Sequence, residues 1–288
     1  MDNKATLAII GGSGLYQMSG IEQTEEIVVD TPFGKPSSPI TVGTLEGMRV
    51  AFLARHGIGH HITPTEVPYR ANIYALKSLG VERVISISAC GSLREDYAPG
   101  HIVIPDNIFD FTKDRDRSFF GEGFVAHVGV ADPFCGDLSG QLETAVRASG
   151  ATTHMGGSLI TVEGPRFSTK AESRTYRAWD MSIIGMTASP EAFLAREAEL
   201  CYATMAHVTD YDVWHESESP VTVDMVIQTL NKNTEIAQNA IHNLVRGLNK
   251  ERTCSCGQAL ATALITNPKA IPAETRKKLD LLVGKYVS

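Results

Sequence analysis

Two carboxylates stand two residues apart in Thr209-Asp210-Tyr211-Asp212, directly after an apolar run at 201–208. A strand ending there can turn both toward one pocket, because alternate side chains share a face. Such a pair can bind a metal, act as acid and base, or read hydrogen-bond donors on a base. The metal reading needs more ligands, and no H-x-H or H-E-x-x-H accompanies the pair. A second group, Arg55-His56, follows the run 50–53. An arginine at a strand end offers a planar fork that matches phosphate, and His56 can donate to the same anion. A surface ion pair is the other common use of such an arginine. Gly11, Gly12, Ser13 and Gly14 follow the first apolar run. Glycines let backbone amides approach an anion, and Ser13 adds a hydroxyl. The spacing fits neither G-x-G-x-x-G nor G-x-x-x-x-G-K-[ST], and a tight turn without ligand has the same composition. Ser88 and Thr187 place hydroxyls at two further strand ends. Separate donors of this kind, if they converge, hold a small anion such as phosphate without a dedicated loop.

The elements that must position these groups alternate from end to end. Residues 6–10, 27–29, 40–45, 50–53, 84–88, 102–104, 159–162, 183–186 and 201–208 read as strands. Residues 67–79, 142–148, 171–179 and 190–198 read as helices, with Pro190 suited to a first turn. The longest helix opens at Val223, Val226 and Ile227 and continues its apolar face through Ala237, Ala240, Ile241, Leu244 and Leu248. This alternation predicts a three-layer α/β/α sandwich around a mixed, mostly buried sheet, partly antiparallel in its strand-rich first third. In such sheets the strand ends carry the ligand. Here those ends hold Gly11, Arg55, Ala89, Met186 and Asp210.

Length and composition narrow the function classes. A chain of 288 residues, 43% hydrophobic, is long enough to bury a full core. A net charge of -7 gives no basic field for nucleic acid, so an anionic ligand must be bound locally. The first apolar run is too short and too quickly broken by Gly11 and Gly12 to be a secretory signal, and no stretch approaches a membrane span. The cytoplasm is the expected compartment. Of five cysteines, Cys90, Cys135 and Cys201 read as ordinary buried thiols.

Six stretches together resemble the 5′-methylthioadenosine phosphorylases of the trimeric purine nucleoside phosphorylase family. They are Gly11-Gly12-Ser13-Gly14-Leu15, the segment 29–37 (VDTPFGKPS), Ala54-Arg55-His56-Gly57, Ala89-Cys90-Gly91-Ser92-Leu93-Arg94-Glu95, Glu163-Gly164-Pro165-Arg166-Phe167-Ser168, and Thr209-Asp210-Tyr211-Asp212. They occur in family order over about 200 residues, within a resemblance running to about Leu248. The resemblance implies one nucleoside phosphorylase domain over 1–288, with a C-terminal helical tail from about 253. It implies a homotrimer or a dimer of trimers, with an adenine nucleoside and inorganic phosphate as substrates and no nucleic acid or membrane partner.

The same resemblance assigns roles. Ser13, Arg55, His56, Ser88, Ala89 (through its amide) and Thr187 would hold phosphate. Ser13 stands where several members have Thr, and either supplies a hydroxyl. Phe167 and Met186 would flank the ribose and base, and Asp210 and Asp212 would face the purine N7 and 6-amino group as the catalytic pair. Val223, Val226 and Ile227 would line the methylthio pocket, and His127 would reach into a neighbouring subunit's site. No metal or organic cofactor is required; phosphate is a co-substrate. A 6-oxopurine phosphorylase, a nucleoside hydrolase and a non-catalytic nucleoside-binding protein are the competing readings, separated by base preference, phosphate dependence and turnover. The tail, Cys254-Ser255-Cys256, resembles a C-x-C motif of some archaeal and bacterial relatives that can close into a redox-sensitive disulfide; two free thiols are the alternative. A metal site on two cysteines lacks further ligands nearby in the sequence.

Overall fold

The computed structural model describes residues 4–12, 18–215, 222–249 and 251–287. Among them lie eleven strands and six helices. In chain order these are β1 (Leu7–Gly11), β2 (Glu22–Ile27), β3 (Ile40–Leu45), β4 (Met48–Ala54), α1 (Tyr69–Ser78), β5 (Arg83–Ser92), β6 (Ile102–Ile104), β7 (Asn107–Phe111), α2 (Gly136–Ala148), β8 (Thr153–Met155), β9 (Ser158–Val162), α3 (Lys170–Ala178), β10 (Ile183–Gly185), α4 (Ala188–Glu197), β11 (Cys201–Asp210), α5 (Val223–Gly247) and α6 (Ala273–Val283).

The strands form one mixed sheet that forks at β5. Along one edge β5 pairs with β11 over nearly its whole length, in parallel. On the other edge its first residues, Arg83 to Ser86, pair with β1, and its last two, Gly91 and Ser92, pair antiparallel with β10. From Ile87 to Cys90 that edge has no strand partner among the described residues. β1 continues to β4, β3 and β2, the last three antiparallel, while β10 continues to β9 and β7.

Alternation along the buried strands builds the two outer layers. Ala8 and Ile10 of β1 pack with Ile73 and Leu76 of α1, Leu194 of α4, and Leu279 and Leu282 of α6. Leu7 and Ile9 face the other way, toward Leu138 and Leu142 of α2 and Ala240, Ile241 and Leu244 of α5. Both faces of the sheet are covered, as β-branched and leucine-rich central strands require. The fold is the expected α/β/α sandwich.

Element bounds differ from the sequence reading where the apolar signal is weak. The strand expected at 27–29 lies upstream, because the polar run Glu22–Ile27 forms an exposed edge. β7 and β8 went unread, being short and half exposed. β5 and β11 each run past their apolar stretches, to Ser92 and Asp210. No helix among the described residues is long and apolar enough to cross a membrane.

Candidate active site

The carboxylate pair is set by an irregularity at the end of β11. Val208 registers with Cys90 and Asp210 with Gly91, so Thr209 is one residue too many for the ladder. Its hydroxyl lies 2.7 Å from Asp210 Oδ2 and 3.2 Å from the Cys90 carbonyl. The chain then turns through Asp212 at φ +52°, a left-handed conformation that aspartate tolerates better than most residues. That turn aims the Asp212 N–H at Asp210 Oδ1, 2.8 Å away. Both carboxyls are buried at 7% exposure. Burial raises Asp210 to about 6, against the pull of Thr209 and of the Asp212 amide. Burial also raises Asp212, with the Ser173 and Ser168 hydroxyls opposing. Asp212 Oδ2 is buried without a hydrogen bond among the described residues. An orphan carboxylate oxygen is costly, and a ligand N–H removes that cost.

Gly91 leaves room for the pair. A Cβ there would sit 2.9 Å from Asp210 Oδ1, 3.0 Å from Ile184 Cγ2 and 3.3 Å from Asp212 Cβ.

The anion-binding candidates gather at the fork. The Arg55 amide donates to the Gly11 carbonyl, which joins the ends of β4 and β1. Its guanidinium is buried and pairs with Glu191 through Nε (2.7 Å) and Nη2 (2.9 Å). Nη2 also meets Ser86 Oγ, and Nη1 the Ile87 carbonyl. Four of the five guanidinium N–H groups are thus engaged, leaving one for a ligand. The ion pair weighed from the sequence is present, but in the interior. Glu191, which also accepts from Tyr202 Oη at 2.8 Å, went unread in the sequence. Its one signal is its place in the first turn of α4, where an acidic residue is favoured.

His56 donates from Nδ1 to the Ile62 carbonyl at 2.9 Å, a tautomer that leaves Nε2 as a bare acceptor. Burial, with the Arg55 charge behind it, lowers His56 to about 4. Ser88 and Ala89 are half-buried and lie on the unpartnered stretch of β5. Thr187 is buried at the N-cap of α4 and makes no side-chain cap bond, so its hydroxyl is not spent on the helix. Ser189, at φ -101° and ψ 134°, breaks the helix after Ala188, so the regular turns of α4 begin only at Pro190. Ser13 lies outside the described residues.

A second unread residue, Arg115, ties these loops together. Nη1 donates to the Met186 and Ser189 carbonyls, both at 2.7 Å, and Nη2 to the Glu163 carbonyl at 2.7 Å. Nε meets the Glu163 carboxylate at 3.0 Å. Burial pushes the Glu163 carboxyl up, but bonds from Thr65, the Lys113 and Asp114 amides and Arg115 bring it down to about 2. Met186 and the segment leading to Phe167 are thereby fixed to one guanidinium. Gly164, in that segment, would bring a Cβ to 2.6 Å from Met186 Sδ. Phe167 is 38% exposed, as are Val223 (60%) and Ile227 (49%) at the start of α5; Val226 is half-buried. His127 is exposed, and its amide donates to Ala263, so it belongs to the surface formed with the C-terminal segment rather than to the fork.

The cysteines lie closer together than their spacing in the sequence suggests. All five are free thiols, and Cys254 and Cys256 are not bonded to each other. Nor do the two lack company: Cys135 and Cys201, read as ordinary buried thiols, have their sulfurs within 4.8 Å of both. Sequence distance concealed this, because the partners lie 53 and more residues away.

Comparison with known proteins agrees with the geometry. Residues 6–246 match the family model described as the phosphorylase superfamily. The S-methyl-5′-thioadenosine phosphorylase of Geobacter sulfurreducens is 54% identical over 98% of this chain and 99% of its own length. That of Chloroflexus aurantiacus is 53% identical over 99% and 100%. A methylthioadenosine phosphorylase from an antarctic soil metagenomic library superposes with a TM-score of 0.93 at 48% identity, over 97% of this chain and 99% of that one. The Schistosoma mansoni methylthioadenosine phosphorylase, solved with adenine, gives a TM-score of 0.81 at 36% identity over 90% and 96%. A forked mixed sheet with a buried carboxylate pair at one strand end, matched over nearly its whole length by these enzymes, places this chain in the phosphorylase superfamily, within the S-methyl-5′-thioadenosine phosphorylase family.

Proposed function

We propose that the protein cleaves the N-glycosidic bond of 5′-methylthioadenosine with inorganic phosphate, giving adenine and 5-methylthioribose 1-phosphate. The buried pair Asp210 and Asp212 carries the reading. An ionised Asp212, with its unpartnered Oδ2, accepts from a 6-amino group. A protonated Asp210, favoured by burial, donates to N7. A phosphate oxygen bonds to C1′ as the C1′–N9 bond breaks, and the departing electron pair is neutralised by the proton at N7. Arg55, Ser13, Ser88, Thr187 and the Ala89 amide hold the phosphate. His56 Nε2 accepts the hydrogen of the P–OH group of monohydrogen phosphate, and that proton later restores Asp210 by way of solvent. Phe167 and Met186 flank the nucleoside, and Val223, Val226 and Ile227 receive the methylthio group. We propose that the protein works in the cytoplasm as a homotrimer, with His127 completing a neighbour's site.

The test compares methylthioadenosine with methylthioinosine, each with and without phosphate, by release of free base. The expected outcome is phosphate-dependent cleavage with a preference for the 6-amino substrate on the order of 10²-fold or more in kcat/KM. A 6-oxo group brings lone pairs to Asp212, which repels them. A ratio near one overturns the adenine assignment, and release of base without phosphate overturns phosphorolysis.

A further inference from the structure

We propose that Cys135, Cys201, Cys254 and Cys256 form a structural tetrathiolate site for one zinc ion. The four sulfurs all lie within 4.8 Å of one another, and Cys201 and Cys254 approach to 3.3 Å. With Zn–S bonds near 2.3 Å, a tetrahedral site has sulfur–sulfur edges of about 3.8 Å. The thiols therefore already enclose a volume of the right size. Thiolate sets of this kind select zinc among the common divalent ions, and four sulfurs leave no open position for a catalytic water.

The surroundings suit the charge. Cys135 is the N-cap residue of α2 and makes no side-chain cap bond, so its sulfur meets the positive end of a helix. Arg196 Nη1 stands 3.4 Å from Cys256 Sγ and offsets the net negative charge of a zinc tetrathiolate. A hollow of about 340 Å³ opens onto Cys135, Cys254 and Cys256, with Asp106, Asp132 and Asp137 on its walls. Carboxylates there draw a hydrated cation toward the sulfurs. On binding, four Zn–S bonds form, four S–H protons pass to solvent, and nothing is oxidised or reduced.

The site's place fixes its role. Cys201 begins β11 and Asp210 ends it, so the two lie roughly 30 Å apart along an extended strand. A metal there clamps the C-terminal segment to α2 and to the central strand, and takes no part in the reaction.

The test uses the full chain without a metal-binding tag, purified under reducing conditions in the absence of chelator. Elemental analysis should find about one zinc per chain, and cobalt put in its place should give the charge-transfer and intense visible bands of a tetrahedral thiolate site. The Cys254→Ser/Cys256→Ser variant should lose the metal and the cobalt bands yet keep kcat within about twofold, a change of under 1 kcal/mol in barrier. If that variant fails to fold, a strong chelator added to the parent should lower its Tm and expose thiols to titration. Zinc far below one per chain from zinc-supplemented cells, cobalt without tetrahedral bands, or an intact mass short by two or four hydrogens, which marks disulfides, would each overturn the proposal.

Discussion

At the residue scale, the proposed function rests on keeping Asp210 protonated while Asp212 stays able to accept. Burial holds Asp210 at about 6, above an ordinary aspartate, so the donor form is present below that pH and is lost as pH rises through it. At saturating phosphate, kcat/KM for the nucleoside should fall about tenfold per pH unit above roughly 6. Asp210→Asn should abolish this limb and leave a low, flat profile; an unchanged limb would assign the titration to another group. The same shift affects stability. A raised carboxyl stabilises the fold fully below its unfolded value near 3.8, and that contribution is lost between there and about 6. Asp210→Asn should therefore be more stable than the parent at pH 7, by about 2–3 kcal/mol in urea unfolding. Gly91 makes the complementary prediction. Gly91→Ala puts a methyl 2.9 Å from Asp210 Oδ1. The carboxylate must shift, and a displacement near 1 Å costs up to about 10²-fold in kcat/KM. Full activity in Gly91→Ala would show that the pair tolerates displacement. The two aspartates were legible in the sequence because a polar pair follows directly on an apolar strand. Gly91 stood inside a recognised motif, but the need for it is a matter of what lies across the ladder.

At the scale of elements, the site is assembled by partnerships that join distant stretches. Arg55 follows directly on β4, and its main partner, Glu191, lies 136 residues on, in the first turn of α4. Arg115 reaches 71 and 74 residues to the Met186 and Ser189 carbonyls. Local periodicity carries no trace of such pairs, and that is why Glu191 and Arg115 went unread while the strands and helices around them were found. The Arg55–Glu191 pair also changes what a mutation measures. Arg55→Ala should raise the phosphate KM far more than the nucleoside KM. It should also destabilise the fold by about 3–5 kcal/mol, because Glu191 is left charged and unpaired in the interior. Arg55→Ala with Glu191→Ala should recover part of the stability but none of the phosphate affinity. A phosphate KM unchanged in both variants would remove Arg55 from the anion site, whatever the unfolding data.

At the scale of the molecule, one chain holds the fork and the carboxylates but leaves several apolar groups in water. Val223 and Ile227 are half exposed or more, and Phe109, Phe111 and Trp179 form an exposed aromatic group with Tyr176 beneath. Aromatic surfaces of this kind mark protein contacts more often than bare surface. Sedimentation should report three chains per particle, or six as a dimer of trimers. His127→Ala should raise the nucleoside KM several-fold without changing the particle size. A monomer active at assay concentration would contradict both. The central position of β11 has a consequence of another sort. Its partner β5 is complete 118 residues before Asp210 is made. At synthesis rates of about 5–20 residues per second, β5 waits roughly 6–24 s for the strand that covers its longest edge. During that interval the nascent chain shows an unpaired, apolar ladder. A chain cut short just before Cys201 should therefore collect in the insoluble fraction and depend on chaperones.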